Sequence, residues 1–276
     1  MTIRPRRSAL FMPASNARAI EKAKGLDCDV VILDLEDAVA PDLKASARAA
    51  AVAAVGQGGF GARELVVRVN GLDTEWGADD CAALGRAAPD AILLPKVSTP
   101  ADLAIARAEA GGTVPLWAMI ETCAAVTGIG ALTEAAAHHG LTGVIAGTND
   151  LAKEMRCRPD AARTPLLPAL AAIVMAGRAT GLTVLDGVCN VLEDGELLRA
   201  ECAQGAMFGF DGKSLIHPAQ IAAANRAFAA SEAQVAWAQA VVAAFALPEN
   251  ADKGAIRVNG EMVERLHLEQ AQRILA

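Results

Sequence analysis

Eight short apolar runs, separated by helix-like segments, constrain this chain more than any other feature. They occupy residues 8–12, 30–33, 65–69, 91–94, 116–120, 143–146, 183–185 and 205–208. Each has the length of a buried strand, and near-continuous apolar character marks strands covered on both faces. The punctuation between them is helical. Ser15 or Asn16 is placed to cap a helix running to Lys24, with Gly25 to stop it. Pro41 stands where a first helical residue belongs, ahead of a helix over 45–55 that continues to Gly56. Thr99-Pro100 opens a segment that ends at Gly111-Gly112, and Ser231 with Gln234 has capping-box spacing before a helix to Phe245.

Strands alternating with helices fit either a closed (β/α)8 barrel or a doubly wound open sheet. Periodicity does not separate the two, but the count of eight and the chain length favour a TIM barrel. Beyond Phe245 the composition changes. Leu247-Pro248-Glu249-Asn250-Ala251-Asp252-Lys253-Gly254 reads as a linker, and 255–276 as a short strand, a turn at Asn259-Gly260 and a last helix. The expected organisation is a catalytic barrel over 1–245 and a linker with a C-terminal tail or lid over 246–276. Such a tail is too short to fold alone and must dock on its own barrel or on a neighbouring subunit.

The chain has 276 residues, 53% hydrophobic and 21% charged, enough to bury a large core. A net charge of -7 argues against nucleic acid as the main partner, though arginines inside a cleft still serve a small anion. No apolar stretch has the length of a membrane span. The basic start, Met1 to Arg7, leads into a strand-like run rather than a long signal core. Six cysteines form no Cys-x-x-Cys pair or zinc spacing, which suits reduced core thiols. A cytoplasmic protein with no membrane partner is expected. Tyrosine is absent, so no phenol takes part in the chemistry.

Two acids close apolar runs about one βα unit apart. Glu121 follows Leu116-Trp117-Ala118-Met119-Ile120, and Asp150 follows Gly143-Val144-Ile145-Ala146-Gly147-Thr148-Asn149. In a barrel both reach the same mouth, a natural seat for Mg²⁺, which takes one or two carboxylates and leaves positions for water and substrate. Taken singly, each also fits a helix-capping or helix-starting acid. Leu33-Asp34-Leu35-Glu36-Asp37 crowds three acids, which requires neutralisation unless the loop is simply solvated. Arg68, within Val66-Val67-Arg68-Val69-Asn70-Gly71, has two compatible roles: an ion pair with Asp34 or Asp37, and bidentate capture of a substrate carboxylate. Lys96 reads as an anion binder or a Schiff-base amine, the latter made unnecessary by a metal electrophile. His138 and His139 read as surface residues, and His217 as a structural residue closing the barrel.

Residues 7–230 resemble the citrate lyase β-subunit and malyl-CoA lyase family of the wider aldolase superfamily. The motifs are Ser8-Ala9-Leu10-Phe11-Met12-Pro13-Ala14-Ser15-Asn16, the 33–39 acidic run, Val67-Arg68-Val69-Asn70-Gly71, Leu93-Leu94-Pro95-Lys96, Ile120-Glu121-Thr122, Thr148-Asn149-Asp150-Leu151 and 209–218. The resemblance implies a (β/α)8 barrel assembled as a homotrimer or hexamer. It implies Mg²⁺ held by Glu121 and Asp150, with Arg68 as substrate-binding arginine. Arg18 matches a basic contact to the CoA ester, with Lys22 and Lys24 as further candidates. Many relatives carry an aspartate in a Met-Ile-Asp segment of the tail; here it reads Met262-Val263-Glu264, so the carboxylate is one methylene longer.

The implied activity is a Mg²⁺-dependent retro-Claisen lyase cleaving a 3-hydroxy-dicarboxyl-CoA thioester into an acyl-CoA and a 2-oxo acid. Mg²⁺ would chelate the substrate carboxylate and hydroxyl, Arg68 would offset developing charge, and Glu264 would protonate the enolate. Asp37 would orient Arg68 or metal-bound water. The rivals are a (3S)-malyl-CoA thioesterase, a citrate-lyase-type subunit needing partner proteins and, third, a class II pyruvate aldolase, which usually has a histidine where this chain has Glu36-Asp37.

Overall fold

A computed structural model describes residues 4–250 and 252–275. Met1 to Ile3, Ala251 and Ala276, which fall in the expected basic start, linker and last helix, lie outside the described residues. The chain divides into two compact units, Arg6–Phe228 and a second formed mainly by Ala229–Ala276.

The first unit is a closed barrel of eight parallel strands in chain order, with β1 (Ser8–Pro13) pairing both β2 (Val30–Asp34) and β8 (Gly212–Leu215). Between them run β3 (Glu64–Arg68), β4 (Ala91–Leu94), β5 (Leu116–Ile120), β6 (Leu141–Ala146) and β7 (Thr183–Asp186). The connecting helices are α1 (Ala17–Ala23), α2 (Lys44–Gln57), α3 (Gly77–Ala87), α4 (Pro100–Ala110), α5 (Cys123–Thr127), α6 (Ile129–Glu134), α7 (Ala136–His139), α8 (Thr148–Glu154), α9 (Leu167–Thr180), α10 (Glu196–Phe208) and α11 (Ile221–Ala227). None of the described helices is long and apolar enough to cross a membrane.

Strand alternation divides the apolar residues into two clusters. Ala9, Ile32, Val66, Leu93, Trp117, Met119 and Ile145 fill the barrel, while Leu10, Val31, Leu33, Val67, Ile92, Leu94 and Val144 face the helices. A filled interior leaves the strand ends as the place for a cavity. The lower end is closed by Arg6, which bonds Glu64 at 2.5 and 2.9 Å and Thr183 at 2.6 Å and lies 5.4 Å from the Trp117 ring.

Local signals place most elements as read. Asn16 accepts from the Ala19 amide at 3.1 Å, Thr99 and Asp102 form a capping box, and Ser231 forms one with Gln234. The eighth strand differs. Residues 205–208 are the last turn of α10, ended by Gly209 at φ 94°, and the strand is Gly212–Leu215. That strand escaped notice because it carries Lys213, wholly buried and paired with Asp186 and Glu201 at 3.0 Å each.

The second unit holds α12 (Glu232–Phe245), a hairpin of β9 (Ala255–Val258) and β10 (Glu261–Glu264), and α13 (Arg265–Leu275). One strand was expected here and two are found. Asn259 and Gly260, at φ 51° and 92°, supply the paired positive φ that a two-residue hairpin turn needs. The division between units falls at Phe228 and Ala229, earlier than the expected boundary after residue 245. The reason is packing: Ala238, Val241 and Phe245 of α12 share a core with Ile256, Val258 and Val263.

Candidate active site

A cavity of about 360 Å³ opens at the C-terminal ends of the barrel strands, and all its lining residues belong to the first unit. Its walls combine apolar Phe11, Met12, Met119 and Ile216 with Asp34, Asp37, Arg68, Glu121, Asn149 and Asp150.

Asp34 and Arg68 end adjacent strands in direct register. Arg68 donates from Nε and Nη2 to the two Asp34 oxygens at 2.7 and 2.8 Å, the planar fork matched to a carboxylate. Its Nη1 lies 2.8 Å from Glu36 Oε2 and 3.6 Å from Asp37 Oδ2, and its guanidinium carbon 4.8 Å from the Phe11 ring centre. Burial opposes the charge on Arg68, but Asp34 and its neighbouring acids outweigh burial and raise its pKa. Glu36 is the buried partner, whereas the Asp37 side chain is 64% exposed. Burial pushes the Glu36 carboxyl upward, against the pull of Arg68 and Lys96. The Lys44 ammonium bonds the Leu35 and Glu36 carbonyls at 2.8 and 2.6 Å. The crowded acids are thus paired with two cations, Arg68 and Lys96, while Lys44 holds the backbone of their loop.

Glu121 begins the loop after β5 and is almost fully buried. Its Oε1 accepts the Lys96 amide at 2.7 Å. Burial raises its carboxyl to about 7, with nearby Glu36 and Asp150 adding to the rise. Gly147, between β6 and α8, leaves the space this carboxylate needs: a Cβ there would collide with Glu121 Cβ and Oε2. Asp150 sits in the first turn of α8, half-buried. Its neighbour Asn149 exchanges two amide hydrogen bonds with Asn190, at 3.1 and 2.9 Å, joining the first turn of α8 to the loop after β7.

These donors fit a hard divalent cation. They are carboxylate oxygens only, one of them on a buried group with an elevated pKa, which is costly to ionise without a positive partner. Among the described residues no group of three or more His, Cys, Asp or Glu side chains comes together to hold a metal. A two-carboxylate seat leaves the remaining positions of an octahedral ion to water and substrate.

The structure brings together Arg68, Asp37, Glu121 and Asp150 of the sequence candidates. Arg18 is exposed in α1 and does not line the cavity, and among the described residues it makes no ion pair. Lys24 is engaged elsewhere, with Glu21 at 2.7 Å. Glu264 ends β10 in the second unit, where its amide donates to His267 Nδ1 at 2.9 Å. His217 caps the turn Pro218–Gln220, accepting from the Ala219 amide at 3.2 Å. Sequence reasoning passed over Glu36 in favour of Asp37. As charges in one run the two are equivalent, and what distinguishes Glu36 is its contact with Lys96 across 60 residues.

The family described as HpcH/HpaI aldolase/citrate lyase matches residues 7–218. A (3S)-malyl-CoA thioesterase of Cereibacter sphaeroides is 49% identical, covering 99% of this chain and 94% of that protein. An L-malyl-CoA/beta-methylmalyl-CoA lyase of the same species is 35% identical, covering 99% and 94%. The crystal structure of protein CitE from Mycobacterium tuberculosis, in complex with magnesium, acetoacetate and coenzyme A, has a TM-score of 0.79 at 28% identity, covering 99% of this chain and 97% of that one. With a family match over most of its length, full-length relatives and a closed eightfold barrel, the chain belongs to the HpcH/HpaI aldolase/citrate lyase family.

Proposed function

We propose that this protein is a Mg²⁺-dependent enzyme acting on a 3-hydroxy-dicarboxyl-CoA thioester, and that it hydrolyses (3S)-malyl-CoA to malate and free CoA. The observation that carries the reading is the buried Glu121 with Asp150 and Arg68 around one cavity at the barrel mouth. Two features support the substrate class: a cation seat for a carboxylate with a neighbouring hydroxyl, and a fixed guanidinium beside it. Sequence motifs alone put carbon–carbon cleavage first. The 49% identity to a thioesterase, against 35% to a lyase, moves hydrolysis ahead.

In this reading Glu121 and Asp150 would hold Mg²⁺, which would supply positive charge for a substrate carboxylate and its neighbouring hydroxyl. Arg68, already fixed by Asp34 and Glu36, stabilises negative charge that develops on the substrate without reorganising. Asp37 orients the free side of Arg68. Water adds to the thioester carbonyl, and CoA leaves as a thiolate that takes up a proton. Glu264 is the proton carrier, and Arg18 the cationic contact to the CoA moiety. The protein acts as a cytoplasmic homo-oligomer, a trimer or hexamer.

A second reading, carbon–carbon cleavage to acetyl-CoA and glyoxylate, draws support from the lyase relative. It uses the same seat and guanidinium. Mass-spectrometric product analysis of purified protein with (3S)-malyl-CoA decides between them. Free CoA plus malate, lost with chelator and in Glu121→Ala, is the expected result. Acetyl-CoA plus glyoxylate transfers the assignment to the lyase, and turnover that survives chelation removes the metal from the proposal.

A further inference from the structure

Lys96 touches both halves of the site through different atoms. It lies just beyond β4. Its backbone N–H donates to Glu121 Oε1 at 2.7 Å, and its Nζ donates to Glu36 Oε1 at 2.9 Å. Glu36 in turn meets Arg68 Nη1 through its other oxygen at 2.8 Å. One residue therefore links the ends of four consecutive strands, β2 through β5.

The backbone at this point is unusual. Lys96 has φ 53°, in the left-handed region where a side chain is disfavoured and glycine is the easiest occupant. A glycine would present the same amide to Glu121 with less strain. What lysine adds is the ammonium, and the ammonium has a specific task. Three carboxylates, Asp34, Glu36 and Asp37, converge on a single guanidinium. Asp34 occupies two of its nitrogens, leaving Glu36 only Nη1. The contact at Glu36 Oε2 is an ion pair without hydrogen-bond alignment, so this buried oxygen is not satisfied by Arg68 alone. Lys96 supplies the aligned bond to the other oxygen, and Lys44 is occupied by backbone carbonyls.

We propose that Lys96 is a positioning residue whose ammonium fixes Glu36 and, through it, the Arg68 guanidinium, while its amide independently fixes Glu121. The inference rests on the reading of this cavity as the active site. Because the two tasks run through different atoms, they separate experimentally. Lys96→Met removes the ammonium and keeps the amide, Lys96→Arg restores a cation, and Glu36→Gln removes the charge on which the ammonium acts.

The experiment measures kcat and KM for (3S)-malyl-CoA, the Mg²⁺ dissociation constant by calorimetry, and the Arg68 Nε–H resonance, identified by its loss in Arg68→Lys. In Lys96→Met, kcat/KM is expected to fall about tenfold while Mg²⁺ affinity stays within about twofold, and Lys96→Arg to recover most of the loss. The Arg68 resonance should shift in Lys96→Met. In the Glu36→Gln background, Lys96→Met should add little to either readout, since the coupling has already been removed. An unshifted Arg68 resonance in Lys96→Met overturns the proposal, as do losses that add in full in the double variant. If the wild-type protein does not turn over (3S)-malyl-CoA, the functional reading fails, and the resonance and its dependence on Glu36 still decide the role of Lys96.

Discussion

Arg68 and Asp34 are register neighbours at the ends of β3 and β2, joined by two hydrogen bonds of 2.7 and 2.8 Å. The same two Asp34 oxygens accept backbone amides from Glu36 and Ala38 at 2.9 and 3.0 Å. Asp34 is thus a joint between the guanidinium and the loop that carries the other acids. This fixes the order of importance among the three acids: Asp34 anchors, Glu36 extends the anchor inside the site, and Asp37 reaches solvent.

Arg68→Lys keeps the charge and loses the fork. Activity is expected to drop on the order of a hundredfold, mainly in kcat, because a single ammonium cannot meet Asp34 and the substrate together. Asp34→Ala is expected to lower stability by about 3 kcal/mol in urea unfolding, since it strands a buried guanidinium and two backbone amides. Wild-type kcat in Arg68→Lys would remove Arg68 from the chemistry.

How much of this was legible in the sequence follows from what each residue does. Seven strands were visible because burial on both faces demands continuous apolar runs such as Val30-Val31-Ile32-Leu33. The eighth was hidden because Lys213 and Ser214 occupy it, and their polarity is matched only by Asp186 and Glu201, distant in sequence. Arg68, Glu121 and Asp150 were visible as charges at the ends of apolar runs. Glu36 and Lys96 were visible as charges too, but the link between them was not, because it is a contact across 60 residues that no local pattern encodes. The second hairpin strand was masked by Glu261 and Glu264, though the Asn259-Gly260 turn announced it.

The buried network behind β7 and β8 carries a stability prediction of its own. Lys213 and Asp186 are fully enclosed, and Arg163 bonds Asp186 at 2.8 and 3.0 Å. Asp186→Ala would leave two buried cations with only Glu201 and Gln204 between them. A loss of about 3–5 kcal/mol is expected from chemical denaturation, enough to unfold many proteins of ordinary stability. A loss below about 1 kcal/mol would mean that water reaches this network in solution.

Gly147→Ala tests the space left for Glu121. The backbone there has φ -92°, which alanine adopts freely, so any effect comes from the added methyl. That methyl meets Glu121 and forces its carboxylate to move. Mg²⁺ binding by calorimetry is expected to weaken at least about tenfold, and the melting temperature in the absence of metal to fall as well, because the methyl meets the buried Cβ of Glu121 and not only its carboxylate. Unchanged Mg²⁺ affinity would place the cation elsewhere than at Glu121.

The Glu121 carboxyl predicts how metal binding depends on pH. Burial raises it to about 7 from the ordinary value near 4.5. Between those values the folded protein holds a proton there that the unfolded chain has released. Stability without metal therefore falls as pH rises through that window, and stays lower above it. Mg²⁺ binds the carboxylate and competes with the proton, so its affinity moves the opposite way and rises with pH up to about 7 before levelling. Calorimetric affinity is expected to be about tenfold weaker near pH 6 than near pH 8, and the Mg²⁺-induced rise in melting temperature correspondingly smaller. Glu121→Gln has no titrating carboxyl at this position and should lose both the tight binding and its pH dependence. Equal affinity at the two pH values in the unaltered protein would show that the ion does not bind through a carboxyl held near neutrality.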